Sequence, residues 1–245
     1  MFEETNNRGF FSAQPVNRDV TVAKTFMAQV FTWMTIGMAV TAVTAYLFAG
    51  SPSLMGSLIN TATGGLTGLG WVVTLGPIGF VLLMSFGFQR LSPGIMALLF
   101  VTFAILMGMS LSFILMVYTA ASVYKTFAIA AGMFGIMAVT GYTTKTDLTK
   151  FGSIMMMGLF GLMIAMLVNF FLKSSGLEYI ISIIGVLIFT GLTAYDVQRL
   201  KRIGSGAAEY GDANVRKLGI LGALTLYLDF INLFLFLLRF LGDRK

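Results

Sequence analysis

The chain has 245 residues, of which 57% are hydrophobic and only 11% are charged. Ordinary soluble domains carry about 25% charged residues, so this composition excludes a soluble domain and indicates a polytopic membrane protein. The formal net charge is +6, but the basic residues are scattered among apolar segments, so no nucleic-acid-binding surface is expected. The chain has no cysteine and no histidine, which excludes thiolate metal sites and the usual proton switch near neutral pH. Any proton sensing within the membrane must therefore use carboxylates.

The N-terminal segment, residues 1–24, is polar and mixed in charge, and it contains Pro15. It lacks the basic region, short apolar core and cleavage site of a secretory signal, so we predict a flexible cytosolic tail. The membrane domain is predicted to span residues 25–240, followed by a short C-terminal tail, 241–245.

Seven apolar runs of roughly bilayer length follow this segment: 25–49, 71–88, 94–118, 126–141, 151–172, 177–194 and 218–238. Because only helices and closed barrels satisfy backbone polar groups in lipid, the runs predict an all-α bundle of seven transmembrane helices. Helix-breaking segments separate several of the runs: Ser51-Pro52, the Gly-rich residues 61–70, Ser92-Pro93 and residues 174–176.

The distribution of Lys and Arg predicts the orientation of the bundle. With the N-terminus in the cytosol, eleven of the 16 basic residues lie in inner segments and five in outer ones. Three of the outer five follow the last run: Arg239, Arg244 and Lys245. They fit an outer position badly, and a re-entrant last run would place them inside. We favour seven spans, because an apolar run of roughly 21 residues is long for a re-entrant segment.

The last run carries an aspartate, Asp229, near its middle. An ionised carboxylate at this depth costs a few kcal/mol or more, so Asp229 is expected to face protein or water and to have a partner on another helix. Small and polar residues recur around it at intervals of three or four, which places them on one helical face. We predict that this polar stripe lines the interior of the bundle; its members are Gly222, Thr225, Asp229 and Asn232.

Asp196 and Arg90 are the other candidate site residues. Asp196 ends the sixth run at the cytosolic edge, where local pairing with Arg199 and a functional role are both open. Arg90, at the inner end of the second run, either anchors the interface or serves as counter-charge to the aspartates. If Asp196 and Asp229 meet, the pair would share a proton and act as a proton-sensitive latch. Their different depths allow this only if the last helix begins in the cytosol or water enters from that side.

Two motifs carry a resemblance to a known family. GLTAYDVQRLK (191–201) and GALTLYLDFINLFLFLLR (222–239) resemble the Bax inhibitor-1 (transmembrane Bax inhibitor motif) family, particularly its bacterial inner-membrane branch. YTAAS (118–122) and GYTTKTDLTKFG (141–152) are similar too, so the resemblance covers essentially the whole chain beyond residue 25. It implies a multi-pass protein of the bacterial inner (plasma) membrane with the last helix central. It also implies a calcium-permeable leak pathway that a pair of aspartates opens or closes.

By this resemblance Asp196 and Asp229 are the pH-sensing pair, and Arg90 is the base that interacts with it. Carboxylate oxygens suit a hard cation such as Ca²⁺. Two aspartates are few for a selective site, so we expect only weak, transient calcium binding at Asp196 and Asp229, and no cofactor.

Two rival functions stay open beside the leak channel. An intramembrane aspartyl protease would also use two membrane aspartates, but Leu228-Asp229-Phe230 lacks the Gly-x-Gly-Asp motif that we associate with those enzymes. We therefore do not expect an enzyme. The second rival is a non-conducting regulator that binds another membrane protein, such as a quality-control protease.

Overall fold

The computed structural model describes residues 16–60 and 63–245, and within these ranges the chain is helical apart from short connections. The α-helices are α1 (Val16–Gly50), α2 (Pro52–Leu58), α3 (Gly68–Phe86), α4 (Pro93–Val117), α5 (Ala120–Thr143), α6 (Thr149–Leu172), α7 (Ser175–Ser205) and α8 (Asp212–Leu241). All of them except the short α2 are long and apolar enough to cross a membrane. The predicted all-α fold with seven spans is confirmed.

Serine and proline residues between the apolar runs begin the helices. The side chains of Ser92 and Ser174 accept hydrogen bonds from backbone N–H groups in the first turns of α4 and α7. These bonds satisfy donors that have no partner within the helix. Pro93 occupies the first turn of α4, where its missing N–H costs nothing. The predicted breaks between runs are therefore also helix caps.

Four helices extend by six residues or more beyond the apolar runs that predict them. α5 begins at Ala120, before the run 126–141. α1 begins at Val16, so residues 16–24 are helical and are not part of a flexible tail, while residues 1–15 lie outside the described residues. α7 continues to Ser205, and α8 begins at Asp212. Contacts between helices hold these extra turns: at Gly204 of α7, for example, α7 lies directly against Phe26 of α1. Hydropathy alone therefore underestimates the lengths of these helices.

α8 lies at the centre of the bundle, and α1, α4, α5 and α7 pack around it. Tyr227 of α8 is fully buried, and its hydroxyl lies 2.8 Å from the hydroxyl of Thr41 on α1. Thr41 donates its own proton to the carbonyl oxygen of Ala104 on α4, at 2.9 Å. Tyr227 must then donate to Thr41, so one chain of hydrogen bonds joins three helices. The predicted central position of the last helix is confirmed.

α6 lies at the edge of the bundle, with most of its side chains exposed, and it packs on α7. The contact depends on Gly152, because a Cβ there would collide with the ring of Tyr195 on α7. Gly161, further along α6, has open space around it. α6 is therefore a peripheral helix, and its contact with α7 is closest at Gly152.

The residues that follow α8 fold back onto the connection between α4 and α5, and we call residues 243–245 the C-terminal clasp. The backbone N–H of Thr119 donates to the carbonyl oxygen of Asp243 at 3.1 Å. The N–H of Lys245 donates to the carbonyl oxygen of Val117 at 2.8 Å. Arg244 forms an ion pair with a residue of α7, Glu178, at 3.2 Å. The bases at 244 and 245 thus belong to a folded end of the bundle.

α8 crosses the bundle from one end to the other. Near its start, Gly219 packs against Gln29 in the first part of α1. Its other end leads into the clasp, over the α4–α5 connection. The two ends of α8 therefore lie at opposite ends of the bundle. A spanning helix has its ends so placed, whereas both ends of a re-entrant segment lie on the same side. That the start of α1 faces the cytosol stays a prediction.

Candidate functional site

The two membrane aspartates meet between α7 and α8. Asp196 is 7% exposed and Asp229 is 5% exposed. Their carboxyl groups are neighbours and interact directly with each other. The long α7 makes this possible: Asp196 lies nine residues before its end at Ser205, about 14 Å along the axis at about 1.5 Å per residue. The apolar run had predicted that Asp196 lies at the cytosolic edge of the bundle. In the structure it lies inside the bundle.

A hydrogen bond between two carboxyl groups requires a proton, because an ionised carboxylate can only accept. A proton shared between the two groups would therefore join them into one protonatable unit. Oδ2 of Asp229 is buried and has no hydrogen-bond partner within the part of the chain that the structure describes. Buried polar atoms without a partner are rare. This oxygen can therefore be satisfied only by a proton on a neighbouring group, such as the carboxyl of Asp196, or by a cation.

Arg199, and not Arg90, is the base beside the pair. The guanidinium Nη1 of Arg199 lies 3.9 Å from Oδ1 of Asp196. Arg90 is exposed in the connection between α3 and α4, and among the described residues it forms no ion pair with either aspartate. That connection lies over the start of α8, where Lys217 donates to the carbonyl oxygen of Phe88 at 2.9 Å. Lys217 is about 18 Å along α8 from Asp229 at about 1.5 Å per residue, so depth separates Arg90 from the pair.

The polar stripe of α8 divides into two parts. Gly222 is buried against Leu200 of α7, where a Cβ would approach the leucine side chain to 2.6 Å. Thr225 and Asn232 bond to carbonyl oxygens of their own helix. They lie on either side of Asp229 and line a cavity with it. The stripe is thus a packing contact at one end and a cavity wall along the rest.

The cavity lies between α6, α7 and α8 and has a volume of about 500 Å³. Asp196 and Arg199 line it at one end, and Arg239 lines it further along α8. Thr225 and Arg239 are fourteen residues apart on the same helix, about 21 Å at about 1.5 Å per residue. The cavity therefore extends through a large part of a bilayer about 30 Å thick. Its remaining walls are apolar side chains of α6, α7 and α8, including Met163, Met166, Phe189, Leu192 and Leu235.

Side chains near the end of α7 hold the connection between α5 and α6. The side-chain amide of Gln198, two residues after Asp196, donates to the carbonyl oxygen of Thr146 at 2.7 Å and accepts from the N–H of Leu148 at 2.9 Å. Lys201 donates to the carbonyl oxygen of Tyr142 at 2.7 Å. The segment that carries Asp196 is thus tied to the α5–α6 connection, which the sequence analysis did not predict. In the sequence, the only indication of this contact is the group of polar residues that follows the sixth apolar run.

Asp147 completes this connection at the surface. Hydrogen bonds from the Thr149 hydroxyl and backbone N–H hold the pKa of Asp147 below its usual value, and the positive charge of Arg202 adds to the effect. Arg202 lies 3.0 Å from Oδ1 of Asp147. The carboxylate therefore stays ionised at neutral pH, and its ion pair with Arg202 ties the connection to α7.

No group of three or more acidic side chains that could hold a metal ion occurs in residues 16–60 and 63–245. The two aspartates offer few oxygen atoms, whereas protein calcium sites use six to eight oxygen ligands.

The fold and the site define a class: a polytopic helical membrane protein with a buried carboxyl pair between its last two helices. Residues 23–245 match a family model described as "Inhibitor of apoptosis-promoting Bax1". The chain therefore belongs to the Bax inhibitor-1 family, as the motifs around Asp196 and Asp229 indicated.

Bacterial relatives match over nearly their whole length. Inner membrane protein YbhL of Escherichia coli (strain K12) is 48% identical over 222 residues, which cover 91% of this chain and 93% of the relative. An uncharacterized protein of Borreliella burgdorferi is 42% identical over 229 residues, covering 93% of this chain and 96% of the relative. An uncharacterized membrane protein of Streptococcus pyogenes is 32% identical over 220 residues, covering 89% and 92%. With seven candidate spans, these matches identify a multi-pass inner-membrane protein.

Proposed function

We propose that the protein is a pH-sensitive, calcium-permeable leak channel of the Bax inhibitor-1 type, in which the Asp196–Asp229 pair closes the pathway. The observation that carries the proposal is the buried, adjacent carboxyl pair at the wall of a long cavity. Buried ionisable residues are costly within a membrane and are usually retained for function. No bond is made or broken in such a mechanism, so we propose that the protein is not an enzyme.

One shared proton holds the pair together, and through it α7 and α8. If the proton leaves, two negative charges remain side by side, and at about 4 Å their repulsion is about 4 kcal/mol for an effective dielectric constant of about 20. If a second proton binds, the hydrogen bond loses its charged acceptor and weakens. Closure should therefore be strongest at intermediate pH, and flux should rise on both sides.

The cavity wall supplies oxygen atoms suited to a hard cation. Asp229 offers a carboxylate, and Thr225 and Asn232 carry further oxygens along the same face. Ion conduction needs binding that is weak enough for the ion to leave. We expect low affinity and modest selectivity, and we propose that calcium is the permeant ion and no cofactor is used.

Calcium flux into dye-loaded liposomes, from about pH 5 to about pH 9, tests the proposal. Asp229→Asn and Asp196→Asn should flatten the pH profile, because an asparagine cannot exchange the shared proton. Asp212→Asn is the matched control, since Asp212 is an exposed aspartate at the start of the same helix. Unchanged profiles in both pair variants would refute the latch.

A non-conducting regulator of another membrane protein is the second candidate function. It is favoured by the family description, which names an inhibitor of another protein and no transport activity. We propose a quality-control protease of the same membrane as an example of such a partner. If purified wild-type protein shows no calcium flux into liposomes at any pH, this function is favoured over the leak channel.

A further inference from the structure

One face of α8 is not covered by other helices. Most of this helix is buried, but a row of side chains three or four residues apart is only partly buried: Leu221, Thr225, Leu228, Asn232 and Leu235. All of these except Leu221 line the cavity beside α6. The cavity is therefore a groove between α6 and α8, with α7 as its floor.

The groove has different chemistry along its length. Its walls are mainly apolar, with Met163 and Met166 on α6 and Leu228 and Leu235 on α8. The end nearer the C-terminal clasp is marked by the exposed guanidinium of Arg239. The molecule that fits such a groove has an apolar body and an anionic end.

Arg239 is free to bind an anion. It forms no ion pair with any carboxylate in the described residues. The Cζ atom of its guanidinium lies 5.7 Å from the centre of the Phe236 ring. Glu178, the acidic residue on the adjoining first turn of α7, is already paired with Arg244 at 3.2 Å. Arg199, the other base that lines the groove, lies beside Asp196, whose negative charge would oppose an anion there.

The position of the groove in the membrane indicates its occupant. The groove opens onto the surrounding bilayer, since Leu228, Asn232 and Leu235 on its wall are only partly buried, and the apolar molecules that it meets there are lipid chains. From Arg239 to Asp229 the groove runs about 15 Å along the helix axis, so a chain anchored at Arg239 reaches the carboxyl pair.

We propose that the groove between α6 and α8 binds one acyl chain of an anionic membrane lipid, whose phosphate group pairs with Arg239. The chain fills the apolar part of the groove and ends beside Asp229. This site goes beyond the proposed ion conduction, because binding can be measured without any ion flux.

Selectivity for this lipid must come from the headgroup. Surrounding lipid tails are as apolar as the groove, so transfer of the chain into the groove gains little by itself. One basic residue near a membrane surface favours an anionic lipid about fivefold. We therefore expect about a fivefold preference for anionic over zwitterionic lipid with the same chains.

Photocrosslinking measures this preference directly. The full chain is reconstituted in phosphatidylcholine vesicles that contain traces of a photoactivatable phosphatidylglycerol or of the matching phosphatidylcholine. Labelled residues are then mapped by mass spectrometry. We expect about fivefold more label from the anionic probe, concentrated on α6 and α8. Equal labelling by both probes would overturn the proposal, as would label spread over the whole exposed surface.

Three variants test the role of Arg239 and of the groove. Arg239→Gln should remove the preference, and Arg239→Lys should retain most of it. Lys125→Gln is the matched control, because Lys125 is an exposed base in the first turns of α5 that does not line the groove. Leu235→Trp should fill the groove one turn from Arg239 and reduce labelling by both probes.

Some outcomes would point to other causes. Equal loss of preference in Arg239→Gln and Lys125→Gln would indicate general attraction by surface charge, and it would refute a specific site. Labelling unchanged by Leu235→Trp would also refute the groove. Because no ion gradient is used, these results are independent of whether the protein conducts calcium.

Discussion

The hydrogen-bond chain from Tyr227 through Thr41 to Ala104 allows a sharp test of how α8 is held at the centre. Tyr227→Phe removes one donor, and Thr41 keeps its bond to the carbonyl oxygen of Ala104. Hydrogen bonds between membrane helices contribute about 0.6 kcal/mol on average and up to about 1.7 kcal/mol. Because Tyr227 is fully buried, we expect a loss of about 1 kcal/mol in the free energy of unfolding.

Thr41→Val should cost more, because it removes both bonds and leaves the Tyr227 hydroxyl buried without a partner. The expected loss is about 1–3 kcal/mol. In the double variant, the phenylalanine has no hydroxyl left to satisfy, so its cost should be no greater than that of Thr41→Val alone. The two substitutions should therefore be coupled by roughly 1 kcal/mol.

Equilibrium unfolding of purified protein in mixed micelles, titrated with a denaturing detergent, measures all four free energies. Thr102→Val is the matched control, since the hydroxyl of Thr102 on α4 bonds only to Leu98 of its own helix. It should change stability little. If the costs of Tyr227→Phe and Thr41→Val add to within about 0.3 kcal/mol, the two residues are independent, and the hydrogen-bond chain does not join the helices.

Three further predictions concern other parts of the molecule. Gly152→Leu should destabilise the protein by about 1–3 kcal/mol, because the new side chain collides with Tyr195. Gly161→Leu is the control and should not destabilise it, because Gly161 has open space around it. Equal unfolding curves for the two variants would contradict the close contact at Gly152. The lowered pKa of Asp147 means that its bonds stabilise the α5–α6 connection at neutral pH and are lost only as the pH falls below 3.8. Hydrogen exchange of residues 144–148 should therefore show protection that persists through mildly acidic pH, and an onset of exchange near pH 5 would argue against it. Finally, reporter fusions after Lys245 should report the side opposite the cytosol, and a cytosolic signal there would overturn the predicted orientation.

The sequence predicted the number of helices because each span must provide about 20 apolar residues. It also predicted that the carboxyl of Asp229 has a protein partner, because burial in lipid is too costly for a charge. Neither inference needs knowledge of which helices are neighbours. The central position of α8 came from the family resemblance, and the structure shows its cause in the many helices that pack around it.

Other features depend on contacts that hydropathy does not encode. The polar end of α7 is helical because side chains such as Gln198 bond to the α5–α6 connection, and this extra length brings Asp196 to Asp229. Arg90 was predicted as a counter-charge to the pair, but it lies in the exposed connection at the end of the bundle, beside the start of α8 and far along this helix from Asp229. The groove could not be predicted from the sequence either. An apolar residue of α6 such as Met163 has the same hydropathy whether it faces lipid or a cavity.

The central position of α8 has a consequence for how the protein is made. The helices that surround it, α1, α4, α5 and α7, all precede it in the chain, so they enter the membrane before the helix that they enclose. Until α8 is inserted, the Thr41 hydroxyl lacks Tyr227 and the carboxyl of Asp196 lacks Asp229. The α4–α5 connection likewise waits for the clasp, whose backbone bonds to residues 117 and 119 can form only after α8 has crossed. Biosynthesis must therefore pass through an intermediate with an unfilled centre, and the clasp forms at the final step of assembly.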